Sequence, residues 1–359
     1  MGNIQVSTMS EYMAKGEKPD VLFWVGCAGS FDDRAKKITR AFTKILNKVG
    51  TRYAVLGKEE SCTGDPAKRA GNEFLFQMQA LMNIQVLNGY EVQKIVTTCP
   101  HCFNTLKNEY PDLGGKYEVI HHTQFIQQLI DEGKVKVEGG AFKGKRITYH
   151  DPCYLGRSNN IYDAPRSLIE KLDVELAEMK RSRQKGLCCG AGGGNMWQEE
   201  VGARRVNHVR SEEAIDTGAD ELISNCPFCI QMFEDGIPSV EPNEDDRIKP
   251  FDIAEVLGFP EYVREDYGQT LGSYGLGHGC YLVLPVIGPS TVRDTAGSFI
   301  NIMGGDPWYN ASVNGNNEYL SDSTYVTSRV MAGIDFRAKN IESLDNLEKN
   351  AMDFYASVR

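Results

Sequence analysis

The chain has 359 residues, 41% hydrophobic and 25% charged, a make-up that suits a soluble globular protein with core enough for two or three folded units. Its formal net charge of −10 lacks the basic footprint that nucleic acid or an anionic lipid surface selects. Ten cysteines in so long a chain are not the dense staples of a small secreted domain, and point to a reducing compartment and to metal or redox work.

The first twenty residues are polar and do not read as a signal peptide. The apolar run at 21–26 predicts a buried strand, being too short for a secretory core. A helix follows over 32–49, with Ile38, Phe42, Ile45 and Val49 on one face. Residues 52–56 predict a strand, and 66–87 a helix opened by Pro66. A strand at 95–98 runs into Cys99-Pro100-His101-Cys102 and a helix, and a strand at 117–120 leads to a helix ending at Gly133.

The same order then returns. Strands are predicted at 146–150 and 174–178, a long helix over 199–217, and a strand at 222–224 that enters Cys226-Pro227-Phe228-Cys229 and its helix. Alternating strands and helices predict an α/β fold of largely parallel sheets. The repetition predicts two duplicated Rossmann-like lobes related by an approximate twofold, with the cysteines at the carboxyl ends of strands. From residue 261 the texture changes. Glycines crowd 272–279, an apolar run spans 281–288, a polar loop follows at 310–318, and helices are predicted over 319–332 and 341–358. The division expected is 1–140, 141–260 and a mainly helical 261–359. No apolar run approaches the ~20 residues of a membrane span.

Nine cysteines form two sets offset by 126–127 residues: Cys27, Cys62, Cys99 and Cys102, then Cys153, Cys188, Cys189, Cys226 and Cys229. A CxxC at a strand-to-helix turn places two thiolates where free N–H groups and the helix dipole stabilise negative charge. Adjacent Cys188 and Cys189, followed by Gly190-Ala191-Gly192-Gly193-Gly194, supply thiolates and a backbone that can approach a cluster closely. No lysine stands where a phosphate-binding loop requires one. Structural zinc is the competing reading, although each set has a single CxxC and distant remaining thiols.

The run Cys153, Cys188-Cys189-Gly190, Cys226-Pro227-Phe228-Cys229 resembles the cysteine-rich CCG domain. That domain occurs in the B-type polypeptide of heterodisulfide reductase and in iron–sulfur subunits of glycolate, lactate, glycerol-3-phosphate and succinate oxidoreductases. The resemblance covers about 21–258. It implies that Cys153, Cys188, Cys189, Cys226 and Cys229 hold a non-cubane [4Fe–4S] cluster.

The first repeat departs from that pattern, with Cys62-Thr63-Gly64-Asp65 in place of Cys-Cys-Gly. Cys27, Cys62, Cys99 and Cys102 are enough for a four-thiolate site and a second iron–sulfur cluster. The segment from Cys62 resembles a variant found in electron-transfer members. Electron transfer with redox partner subunits, a flavoprotein or another iron–sulfur protein, is therefore expected over disulfide cleavage. No catalytic residue is assigned. A cytoplasmic location is expected, with peripheral association at the inner membrane left open.

Asp65 reads as a helix cap or an oxygen ligand, the cap being favoured. His101 and His150 are residues that either tune a metal site or are satisfied by local backbone; His121 and His122 read as structural. Gly275, Gly277 and Gly279 imitate a dinucleotide fingerprint without its strand and helix. Cys280 reads as a small buried hydrophobe. The stretch from 266, with Glu265-Asp266-Tyr267-Gly268 and Tyr281-Leu282-Val283-Leu284-Pro285, resembles the later part of the VacJ/MlaA outer-membrane lipoprotein. That resemblance implies an alternative role in lipid handling or envelope association.

Overall fold

The computed structural model describes residues 6–135, 137, 142–198, 202 and 204–258, together with two short strands further on. The first lobe comprises β1 (Ser7–Thr8), α1 (Met9–Ala14), β2 (Val21–Trp24), α2 (Gly26–Phe31), α3 (Asp33–Val49), β3 (Tyr53–Val55), α4 (Asp65–Arg69), α5 (Glu73–Gly89), β4 (Lys94–Thr97), α6 (Pro100–Asn104), β5 (Glu118–His121) and α7 (His122–Asp131). The second comprises β6 (Arg146–His150), α8 (Asp163–Glu170), β7 (Glu175–Leu176), α9 (Val206–Ile215), β8 (Glu221–Ser224), α10 (Pro227–Val240), β9 (Lys249–Phe251) and α11 (Ile253–Gly258). Beyond them β10 (Leu282–Val283) and β11 (Phe299–Ile300) pair antiparallel. The helices expected at 319–332 and 341–358, the glycine run at 272–279 and Cys280 lie outside the described residues.

Both large sheets are parallel throughout. The first runs β1-β3-β2-β4-β5 and the second β7-β6-β8-β9. Without β1 the two orders coincide, β3-β2-β4-β5 against β7-β6-β8-β9, so the duplication seen in the cysteines is a duplication of topology. A parallel sheet covered by helices on both faces needs unbroken apolar strands rather than alternating ones. Accordingly, every residue of β2 is buried, as is every residue of β8.

Local chemistry sets the helix ends. Asp32 caps α3 by accepting from the Ala35 N–H at 2.7 Å, and Gly50 stops it in a left-handed conformation at φ 73°. The single helix expected over 66–87 is two, α4 and α5, because Asn72 caps a new start by accepting from the Leu75 N–H at 3.0 Å. The long helix expected from 199 begins at Val206. α1, α2, β1, α8, β9 and α11 were not anticipated: α1, α2 and α11 are only six residues long, α8 eight, β1 two, and β9 is a strand containing Pro250.

The lobes are joined by buried polar contacts. Arg34 on α3 grips Glu255 of α11 through two bonds of 2.8 and 2.9 Å, and also reaches Glu234 and the Pro250 carbonyl. His122 Nε2 lies 2.8 Å from Asp252 Oδ1, with both side chains fully buried. One apolar core holds Cys27, Cys62, Cys99 and Cys102 together with Cys189, Cys226 and Cys229, so the cysteine sets share a single interior.

Candidate metal centre

Each cysteine set gathers at the carboxyl end of its sheet, where loops leave the strands. Cys99 follows β4 and caps α6, with Cys102 one turn on; Cys226 follows β8 and caps α10, with Cys229 one turn on. Proline at the first helical position opens both helices without losing a backbone hydrogen bond.

The adjacent motifs are also built alike. Gly64 and Gly190 both take left-handed backbone, at φ 87° and 97°. Each donates its N–H to the cysteine two residues earlier, Gly64 to Cys62 Sγ at 3.4 Å and Gly190 to Cys188 Sγ at 3.3 Å. A side chain at Gly64 would strike Phe76 at 2.9 Å, so glycine is required there.

Buried carboxylates hold the first cysteine loop of each repeat. Glu60 accepts from the N–H groups of Val25 and Gly26, at 3.1 and 2.6 Å, just ahead of Cys27. Burial pushes its carboxyl up to about 8, against those two bonds. Asp151, just ahead of Cys153, is clamped by Arg166 at 2.8 and 2.9 Å and accepts from the Arg183 N–H at 2.7 Å. Glu60, Asp151 and Arg166 were not expected from sequence. The Glu60 and Asp151 contacts named here span 15 to 35 residues of chain, so no local pattern marks them.

In the second set, Cys189 and Cys229 sulfurs are 3.1 Å apart. Cys188 hydrogen-bonds both Cys153 and Cys189, and Cys226 hydrogen-bonds Cys229. All five expected residues therefore meet. Hydrogen bonds from Cys153 and Cys189 bring the Cys188 thiol down, whereas its Cys188 neighbour and burial drive Cys153 up. Burial opposes ionisation of Cys226, but Cys229 and His101 bring it down to about 5. Cys153 and Cys188 are half-buried, while the other three are buried.

In the first set all four cysteines are buried. Cys62 hydrogen-bonds Cys27, Cys102 hydrogen-bonds Cys99, and Cys102 lies within electrostatic reach of Cys27 and Cys62. The residue in the fifth position, Thr63, turns its hydroxyl to Cys102 Sγ at 3.9 Å.

Two of the weighed residues take roles other than the simplest ones. Asp65 caps nothing: Gly64 occupies the cap position, and the Asp65 carboxylate binds His101 at 2.9 Å and Arg69 at 3.1 Å. Its sulfur neighbours apart, His150 is held by Arg210, whose Nε–H donates to His150 Nδ1 at 3.0 Å. Burial and the Arg210 charge both push the His150 ring below its ordinary range and keep it neutral. Since Nδ1 accepts, the ring proton sits on Nε2, which is buried and has no acceptor among the described residues. A ring nitrogen of His150 and the sulfurs of Cys189 and Cys229 lie within 4.8 Å of one another.

Thiolates select soft metals, and iron–sulfur clusters are held by cysteine sulfur. A cluster carries sulfur acceptors of its own, which answers the orphaned Nε2–H of His150. With its Nε2 protonated, the histidine is placed to donate to such a group and not to ligate through that atom. The donor set fits an iron–sulfur group.

Residues 21–107 and 147–234 each match the cysteine-rich domain, and residues 250–359 match the MlaA lipoprotein. Over 254 residues the chain is 43% identical to the "Probable iron-sulfur-binding oxidoreductase FadF" of Bacillus subtilis, covering 70% of this chain and 36% of that one. It is 41% identical over 249 residues to the "EtfAB:quinone oxidoreductase" of Syntrophomonas wolfei, covering 67% and 34%. With the D-type polypeptide of the "Dihydromethanophenazine:CoB--CoM heterodisulfide reductase" of Methanosarcina barkeri the identity is 37% over 227 residues, covering 61% and 54%. The chain thus spans about a third to a half of the length of these relatives. The heterodisulfide reductase relative is of the D type, where the motif alone suggested the B type. Among the described residues no helix is long and apolar enough to cross a membrane.

Proposed function

From a chain that carries two cysteine-rich domains, at 21–107 and 147–234, we propose an iron–sulfur oxidoreductase subunit that relays electrons inside a larger redox assembly. One observation carries it: Cys153, Cys188, Cys189, Cys226 and Cys229 meet one another, and a ring nitrogen of His150 lies within 4.8 Å of the Cys189 and Cys229 sulfurs. In this reading those five residues hold a non-cubane [4Fe–4S] cluster, and Cys27, Cys62, Cys99 and Cys102 hold a second iron–sulfur group. The bound groups supply one-electron chemistry. The chain keeps the first site dry, leaves the Cys153 and Cys188 edge of the second open to a partner, and fixes the thiols in place through Glu60, Asp151 and the two glycines.

The named relatives support membership of a redox complex with a flavoprotein or quinone-linked partner. Protein purified and reconstituted without oxygen is expected to be brown, with iron and acid-labile sulfide in equal amounts and a paramagnetic signal on reduction. A colourless protein holding only zinc contradicts the proposal.

A second reading attaches to 250–359, where the MlaA match favours an envelope-associated or lipid-handling segment. Its first residues, however, form β9 and α11 of the second lobe, β9 pairing with β8 and α11 packing on α3. We place the boundary at 260, with the segment beyond it appended to a redox domain. Phospholipid extracted from the purified full chain supports this second reading, and its absence counts against it.

A further inference from the structure

The two repeats differ at aligned positions of their cysteine motifs, and the residues that differ meet one another. Where the second repeat has Ala191 and Phe228, the first has Asp65 and His101. Asp65 Oδ2 lies 2.9 Å from His101 Nδ1. The same ring hydrogen-bonds Cys226, which belongs to the second set. A residue of the first repeat's CxxC therefore reaches a sulfur of the second repeat's CxxC.

The ring has little room to leave this position. Tyr154, next to Cys153, lies against it with centroids 4.6 Å apart, and Phe228 meets it edge-on at 5.0 Å. The carboxylate behind it is fixed in turn, Asp65 Oδ1 accepting from Arg69 Nε at 3.1 Å while Arg69 also pairs with Glu109.

The ring's role follows from its donors and acceptors. An ionised carboxylate only accepts, and so does a cysteine sulfur that has lost its proton to bind a metal. An imidazole lodged between two acceptors satisfies both by presenting an N–H to each.

We propose that His101 is a positioning residue that crosses from the first repeat to donate an N–H hydrogen bond to the Cys226 sulfur, so that the first repeat sets the electron affinity of the metal site in the second. This rests on the iron–sulfur reading above. Hydrogen bonds to cluster sulfur stabilise the more negative, reduced state and raise the potential. Asp65 and Arg69 keep the donor aimed, and the Asp65–His101 pair occupies two of the positions where the first repeat departs from the second.

The test uses the full chain, loaded anaerobically, as wild type and as His101→Phe, His101→Gln and Asp65→Asn. Each is assayed for iron and sulfide and then titrated potentiometrically with EPR detection. His101→Phe, which installs the second repeat's own residue, is expected to keep its iron. At the wild-type midpoint its reduced-to-oxidised ratio should fall about tenfold, equivalent to ~59 mV for a one-electron couple. Asp65→Asn and His101→Gln, which retain a donor, should fall between the two and show altered g-values. If His101→Phe does not fold, that graded pair carries the test. Loaded variants with the wild-type midpoint and spectrum overturn the inference and leave the iron–sulfur reading intact. Wild-type protein without iron removes both.

Discussion

The two halves of this molecule share a strand order, a cysteine spacing and a pair of left-handed glycines, yet the sites at their mouths are unlike. The first is closed, with four buried thiols and Thr63 in the place of a fifth. The second has five thiols, two of them half-buried, and His150 held by Arg210 as a hydrogen-bond donor. Both lobes keep the strand order and the cysteine-loop glycine, while the first has Thr63, Asp65 and His101 where the second has Cys189, Ala191 and Phe228. One lobe is built to hold a site away from solvent, the other to expose an edge of it.

That contrast can be broken at several levels. The largest effect is expected from removing thiols: Cys226→Ser or Cys229→Ser should abolish metal at the second site, a loss of about four irons per chain. Cys62→Ser should lose only the metal of the first set. Metal analysis with EPR on the three proteins checks this, and an identical spectrum from all three would show that the sets are not separate sites. Next comes the joint between the lobes. Arg34→Ala leaves Glu255 buried without its partner and should cost about 3–5 kcal/mol in denaturant unfolding. A change under about 1 kcal/mol would mean that the lobes do not depend on this clamp.

A sharper comparison sets Gly64→Ala beside Gly190→Ala. Both positions are left-handed, which costs about 1–2 kcal/mol for a residue with a side chain. Only at Gly64 does the added carbon meet an aromatic ring and backbone, Phe76 Cδ2 at 2.9 Å and its Cα at 3.3 Å. At Gly190 the nearest atom is the flexible end of Met232 at 3.3 Å. Thermal unfolding should therefore rank Gly64→Ala as the more damaging, and the reverse order would sink the packing argument.

The smallest effect is one of pH. The Asp65 carboxyl is held below its ordinary value of 3.8 in the folded protein, so it binds protons more readily once unfolded. Its contribution to the stability of the metal-free chain is complete above that value and disappears as pH falls through the lower, folded one. The stability difference between wild type and Asp65→Asn should therefore shrink on acidification; a difference that holds or widens contradicts the pairing with His101 and Arg69.

Much of the fold was legible because parallel strands are continuous apolar runs that end at punctuating residues. The run Val21-Leu22-Phe23-Trp24 and the strand entering Cys226 could hardly be anything else. The cysteine sets were legible for a similar reason, since their spacing repeats. Short elements escaped, because β1, α1 and α2 hold too few residues to show a period. The break at Asn72 escaped because apolar residues run on past it, and only the cap geometry reveals the restart. The contacts that distinguish the sites were least legible. Asp65 meets His101 across 36 residues and Arg210 meets His150 across 60, distances at which sequence carries no pattern to read.

The central claim is that iron is gripped by sulfur at the mouths of both lobes. Diffraction data collected across the iron absorption edge, from crystals of anaerobically loaded full-length chain, test it most directly. The account predicts anomalous peaks for several irons bonded by Cys153, Cys188, Cys189, Cys226 and Cys229, with a separate peak inside the Cys27, Cys62, Cys99 and Cys102 set. Zinc at the five-cysteine mouth, or no metal within bonding reach of those sulfurs, would contradict it.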